Sequence, residues 1–386
     1  MDDSANTMTE WARGPRRVPR APFSVERFEA MSSSDDQRRD NNRLRLAGSL
    51  AGLKHRRSRA RTAFGGVAVS VSLLSFTFAA EAQSATPPDV VKIPAGLNFG
   101  DSSFYDGFGS TDPGWTLFNY ARWNDLNSLK DSSGHNSRLF VDPHIDVLST
   151  VFQVVYIPPI AVSNGAIAFE AILPVADIQS HFNASGAVLR NNGFNFGDLT
   201  VGAAYQAKPI SLWDQSVLSW RFDFDVSAPT GGFDGSMDIN QSSGFWSLEP
   251  YLAVTLLPIP KWEVSVRFNY DYNFSTSRGS NPPQIPGFAF NDGHAGQAAW
   301  LNFAASYEVI EGVRPGLNGF WLQQLTNDST NGISVPGTQV EQLYLGPGVN
   351  WQVNKTSVAN FNVYLPISAK NTPAGPQFNI LYIHQI

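Results

Sequence analysis

A chain of 386 residues exceeds the usual size of a single hydrophobic core, yet only 16% of it is charged, 12% is aromatic, and it carries 32 glycines and 25 prolines. That mix suits strands and turns better than a helical soluble enzyme. Cysteine is missing altogether, which excludes disulfides and thiolate metal sites. Residues 1–82 hold 14 Lys+Arg against 9 Asp+Glu, whereas residues 83–386 hold 13 against 24. An acidic second part disfavours nucleic acid as a partner, because phosphate binding wants a cationic patch.

Residues 1–53 are polar and lack hydrophobic periodicity, so they read as a disordered leader or as sequence upstream of a later start such as Met31. Residues 54–82 have the three-part layout of a secretory signal peptide. A basic cluster at Lys54, His55, Arg56, Arg57, Arg59 and Arg61 precedes an apolar stretch from Ala63 to Ala80, then the small-residue site Ala80-Glu81-Ala82. Cleavage is expected near Ala82. A transmembrane helix is the competing reading, but Gly65, Gly66 and several serines dilute the apolar stretch.

Residues 83–114 mix prolines and glycines with Phe99, Phe104, Tyr105 and Phe108. The segment is expected to begin in the periplasm and either to tether the chain there or to fold into a lumen as a hatch, its aromatics free to stack on an apolar solute.

From residue 115 to the end the dominant signal is period two, the mark of a strand with one apolar and one polar face. Trp262, Val264, Val266, Phe268, Tyr270, Tyr272 and Phe274 alternate with Glu263, Ser265, Arg267, Asn269, Asp271 and Asn273. Strands are predicted near 115–127, 145–157, 164–176, 197–207, 216–227, 246–257, 261–274, 297–308, 313–325, 341–353, 357–368 and 376–386. Their connections alternate long and short, the short ones being turn-like in composition, such as Pro258-Ile259-Pro260. The predicted fold is all-β: a transmembrane antiparallel up-and-down barrel of about 12 strands, with both termini in the periplasm. Trp115, Trp123, Trp246, Trp262, Trp321 and Trp351 fall near strand ends, where an interfacial girdle would need them. A soluble β-sandwich would instead gather its aromatics at strand centres.

With apolar faces turned to lipid, Arg221, Asp223, Asp225, Glu263, Arg267 and Asp271 are expected to project inward, to pair with one another or to line a path. Phe233, Phe245 and Phe288 lie in long connections and are candidates for an external mouth. A hydrolase would need Ser, His and an orienting partner together. Ser180-His181 is the nearest approach in sequence, and His135, His144, His294 and His384 are scattered, without a short metal-ligand spacing. No glycine-rich strand-to-helix turn occurs, so no nucleotide fingerprint is present. The expectation is a non-enzyme with no cofactor and no metal.

Several stretches together resemble the outer-membrane protein family linked to the meta-cleavage pathway of phenol degradation. They are Gly109 to Asp125 (GSTDPGWTLFNYARWND), Gly193 to Thr200 (GFNFGDLT), Ala228 to Asp234 (APTGGFD), Asp238 to Leu248 (DINQSSGFWSL), Pro258 to Ser265 (PIPKWEVS), Asn273 to Pro283 (NFSTSRGSNPP), Ala295 to Trp300 (AGQAAW) and Tyr344 to Gly348 (YLGPG). The resemblance implies a bacterial outer-membrane channel or transporter for aromatic or hydrophobic compounds; it supplies no catalytic or binding residues. The final strand, with Phe378, Ile380, Tyr382, His384 and Ile386 on one face, looks like the carboxy-terminal signal of such barrels, although that signal usually finishes in an aromatic. The expected partners are outer-membrane lipid, a small hydrophobic or aromatic solute, and the barrel-assembly machinery during biogenesis. The competing functions are a structural or adhesive barrel and an outer-membrane lipid hydrolase.

Overall fold

The computed structural model describes residues 86–386, apart from Ala95, Trp213 and Asp214. The leader, the signal peptide and the cleavage site expected in residues 1–82 lie outside the described residues. Twelve strands form the wall: β1 (Gly114–Leu126), β2 (His144–Ile157), β3 (Gly165–His181), β4 (Leu199–Ala207), β5 (Gln215–Ala228), β6 (Ser247–Leu256), β7 (Trp262–Asn273), β8 (Ala298–Tyr307), β9 (Val313–Gln324), β10 (Glu341–Asn354), β11 (Ser357–Lys370) and β12 (Gln377–Gln385). Each pairs antiparallel with the next. β1 closes on β12 in register from Thr116 opposite Gln385 to Asn124 opposite Gln377. Closure leaves no row of unpaired amides, and only a closed sheet can stand in hydrocarbon, where no water is at hand to satisfy an open edge.

The period-two pattern decides which face meets lipid. On β7, Val264, Val266 and Phe268 are exposed while Glu263, Ser265, Asn269 and Asp271 are buried inside. The six tryptophans at strand ends all point outward: Trp115, Trp262 and Trp351 at the short-turn end, Trp123, Trp246 and Trp321 at the long-loop end. Cross-strand aromatic contacts join the two girdles to their neighbours, Trp115 with Tyr156 at 4.4 Å and Trp123 with Phe378 at 5.2 Å between ring centres.

Two boundaries differ from the sequence expectation. β3 runs on to His181 because β2 continues in register beside it, from Tyr156 opposite Phe169 to His144 opposite His181. Its pairing with β4 stops at Ile172; beyond Pro174 a short strand, Phe194–Phe196, takes over as partner. Proline brings no amide to a ladder, and Pro174 keeps only its carbonyl in use, accepting from Gly197 N at 2.9 Å. The connection after β11, residues 371–376, is short where a long one was expected. It is held down by a two-residue pairing of Pro373–Ala374 with Ser128–Leu129.

Candidate functional site

Residues 86–113 run along the inside of the barrel. At the long-loop end, Val90 O accepts from Ser280 N (2.8 Å), Pro88 O accepts from Thr330 Oγ1 (2.8 Å), and Val90 and Val91 pack on Phe245 and Ala295. At the short-turn end, Ser110 Oγ accepts from Gln385 Nε2 at 3.3 Å. From Pro88 among the long loops, the described segment descends toward β1.

Its backbone is held by lumen side chains. Gly100 O accepts from Tyr364 Oη (2.6 Å) and Asn379 Nδ2 (3.1 Å), while Gly100 N donates to Asn302 Oδ1 (3.0 Å). Tyr105 N donates to Glu263 Oε1 (3.0 Å), and Gly107 N to Thr255 Oγ1 (2.9 Å). Gly107 lies so close to the wall that a Cβ there would stand 2.4 Å from Thr255 N and 2.7 Å from Ser219 O, both backbone atoms.

Charges fasten the same segment. Asp106 receives Arg267 through Nε at 2.8 Å and also through its Nη2, and Arg221 Nη2 lies 3.3 Å away. Asp101 sits 3.3 Å from Arg122 Nη1. Of the six lumen residues expected from sequence, all face inward, but the two arginines pair with the segment and not with Asp223, Asp225 or Asp271 across the ladder. Glu263 caps the segment and also accepts from Ser306 Oγ at 2.6 Å. Asp101, Asp106, Arg122, Glu170 and Glu249 were missing from the sequence reading; isolated charges in otherwise apolar or glycine-rich stretches were the available signal.

The aromatics of the segment separate by environment. Phe99 meets Trp300 edge-on at 5.3 Å and stacks on Phe320 at 6.0 Å; Phe320 in turn stacks on Tyr344 at 4.7 Å and meets Tyr364 at 5.7 Å. Phe104 is buried, Tyr105 lies under the Arg314 guanidinium (5.1 Å), and Phe108 packs on Tyr105. Of the three mouth candidates, Phe233 and Phe288 line a cavity of about 550 Å³ among the long loops, with Arg278, Pro282 and Phe290. Phe245 is fully buried beneath that level, where it anchors Val90 and Val91.

One loop carboxyl is expected to make the top of the segment respond to pH. Asp328, between β9 and β10, is pushed up to about 7, first by burial and then by the nearby Asp89 carboxylate, despite bonds from Gly296 N and Gln324 Nε2. The folded chain holds this proton more tightly than the unfolded chain does. Stability at this position is therefore greatest in acid and falls as pH rises from about 4 to about 7. Proteolytic access to residues 86–92 is expected to increase over that range, and Asp328→Asn to flatten the profile; an unchanged profile in the variant would remove Asp328 as the cause.

Among the described residues, two groups have the donors to hold a cation. Asp125, His144 and Asp146 meet at the long-loop end, with His144 Nε2 2.9 Å from Asp146 Oδ2, in a partly exposed ion-pair arrangement. Glu170, Asp223 and Asp225 meet inside the lumen. No hydrolytic constellation forms at Ser180, whose Oγ donates to Leu189 O at 2.7 Å. Ser357 Oγ does lie 2.9 Å from His384 Nδ1, but its other contact there is the Tyr382 hydroxyl rather than a carboxylate orienting the histidine.

Comparison with one solved structure gives the same architecture. A crystal structure of an outer membrane channel from Pseudomonas putida F1 superposes with a TM-score of 0.61 at 14% identity, covering 73% of this chain and 98% of that one. A TodX monoaromatic hydrocarbon channel mutant matches with a TM-score of 0.39 at 9% identity over 72% of this chain and 91% of its own. The beta domain of the Bordetella autotransporter BrkA matches with 0.43 at 11% identity over 71% and 100%. No curated protein matches the chain. Residues 126–382 match the family described as "Putative MetA-pathway of phenol degradation". That match spans most of the chain, and the protein, a bacterial outer-membrane β-barrel, belongs to this family.

Proposed function

We propose that the protein is an outer-membrane channel for passive uptake of small hydrophobic or aromatic compounds, with residues 86–113 as a hatch in its lumen. The observation that carries this reading is the seat of Phe99. Most of the lumen wall is polar, yet Trp300, Phe320, Tyr344 and Tyr364 form a continuous aromatic surface on which the Phe99 ring lies. Aromatic pairs of this kind contribute about 0.5–1.5 kcal/mol beyond area burial, so a flat solute ring can compete with Phe99 for the same place. The loop cavity, where Phe233, Phe288 and Phe290 stand among Ser277, Arg278 and Gln284, offers a mixed aromatic and polar antechamber on the outer side.

The test is planar-bilayer conductance of the mature protein, with and without phenol or toluate. Conductance that falls as solute is added is the expected result, and Phe99→Ala should shift the concentration at which it falls. A conductance indifferent to both solutes would reject the aromatic part of the reading. A bilayer that stays silent both with the intact protein and with protein lacking the hatch would reject passage and favour an adhesive barrel.

A further inference from the structure

We propose that Glu170, Asp223 and Asp225 hold a divalent cation of the calcium type inside the barrel wall, tying β3 to β5 across β4. This does not depend on the channel reading. Glu170 stands opposite Gly202 on β4, Gly202 opposite Asp225 on β5, and Asp225 opposite Glu249 on β6. The row is acidic except at its second place, where there is no side chain. Asp225 leans into that gap: a Cβ on Gly202 would lie 1.8 Å from Asp225 Oδ1 and 3.2 Å from Glu170 Cγ. Glycine inside a strand here permits two carboxylates on non-adjacent strands to meet.

One oxygen from each of Glu170, Asp223 and Asp225 lies within 4.8 Å of the others. Asp225 is 5% exposed and Glu170 9%, and Asp223 is fully buried. Glu170 Oε1 and Asp225 Oδ1 accept from no N–H or hydroxyl donor, and the two carboxyl groups face each other. Glu170 Oε2 and both oxygens of Asp223 are held by hydrogen bonds, Asp223 Oδ1 by Phe224 N at 2.8 Å. Gln153 Nε2 donates to Glu170 Oε2 (2.7 Å) and is itself held by Tyr120 Oη, and Tyr251 Oη donates to Asp223 Oδ2 (2.8 Å). The neighbouring cation, Arg221, directs its guanidinium to Tyr251 Oη (3.2 Å) and Asp106 (3.3 Å).

Three carboxylates so close and so dry repel strongly unless a proton or a cation lies among them. Bare oxygens on Glu170 and Asp225, beside an Asp223 carboxylate fixed by its neighbours, suit a hard cation, whose ligands are oriented by a surrounding layer of hydrogen bonds. Calcium accepts carboxylate oxygens at about 2.3–2.6 Å in flexible geometry, so donors on opposite sides stand about 5 Å apart, as the cluster allows. Magnesium retains several waters and suits this enclosed place less well.

The experiment is equilibrium dialysis of the full chain, folded in zwitterionic detergent and stripped with EDTA, against radioactive calcium chloride. One calcium per chain is expected, undisplaced by equimolar magnesium. Asp225→Asn, which removes a donor charge, and Gly202→Ala, which displaces Asp225 without removing any carboxylate, should each weaken uptake by at least about tenfold. Asp146→Asn, in the cluster on the outer surface, should leave it intact. Heat-shifted gel migration reports that each variant is folded. No uptake by the folded wild-type chain would overturn the proposal, because protons then hold the carboxylates together. Uptake lost with Asp146→Asn, or kept with Asp225→Asn, would overturn it as well.

Discussion

A mature chain lacking residues 83–108 is expected to conduct ions in a planar bilayer several-fold better than the intact protein. A barrel of twelve strands lies between one of about eight, which its own side chains fill, and one of about sixteen, which holds an open aqueous channel. The difference in space is taken up here by Phe99, Phe104 and the two aspartates that reach the wall. Deletion removes them together with the backbone that bonds Tyr364, Asn379, Asn302, Glu263 and Thr255. Those polar groups then face water, which solvates them, so the wall has no reason to collapse inward. The closing seam between β1 and β12 contains no residue of the segment. Conductance unchanged by the deletion, in protein shown to be folded, would sink the hatch.

Asp106→Ala is the single substitution with the largest expected effect on docking. It leaves Arg267 and Arg221 without their carboxylate in a buried place, and breaking a buried pair from one side typically costs about 3–5 kcal/mol. Lumen water and the Tyr251 ring, which lies 4.1 Å from Arg267 Cζ, offset part of this. The segment should then come off the wall, seen as rapid proteolysis between residues 86 and 113, while the barrel keeps its heat-shifted migration. Asp106→Asn, with the same shape and one acceptor oxygen, should fall between. Gly107→Val should act similarly by a different route, since its side chain would press on backbone of β5 and β6, which cannot rotate away. Protease resistance equal to wild type in Asp106→Ala would show that the ion pairs do not hold the segment.

The wall was legible because alternation is a strong signal wherever one face meets lipid and the other does not. The run from Trp262 to Phe274 admitted no other reading. β3 was harder, for its Ala-Ile-Ala-Phe and Ile-Leu-Pro-Val stretches are apolar on both faces, and its end at His181 is set by pairing with β2 rather than by composition. The contents of the lumen were legible only as candidates. Arg221 and Arg267 are visible as inward charges, but their partner, Asp106, lies in a segment with no periodicity to place it. Phe245 read as loop material by its glycine and serine neighbours, whereas Val90 and Val91 cover it. Gly202, a glycine amid Leu199–Ala207, signals close approach, although nothing local in the sequence says of what.

A chain that enters its own barrel at the long-loop end and leaves at the other as β1 makes the molecule a threaded ring. The pairing of Thr116–Asn124 with Gln377–Gln385 is the last seam that sequence order allows, joining the first strand to the final one. If that seam shuts first, residues 86–113 must afterwards be drawn through a finished hoop past Arg122, Arg221 and Arg267. If the segment lies down first, the growing sheet curls round it as round a mandrel, and the buried Asp101 and Asp106 help to fix which way the sheet bends. The second order needs no passage through a closed hoop, and it makes the segment part of how the barrel is assembled as well as what it contains.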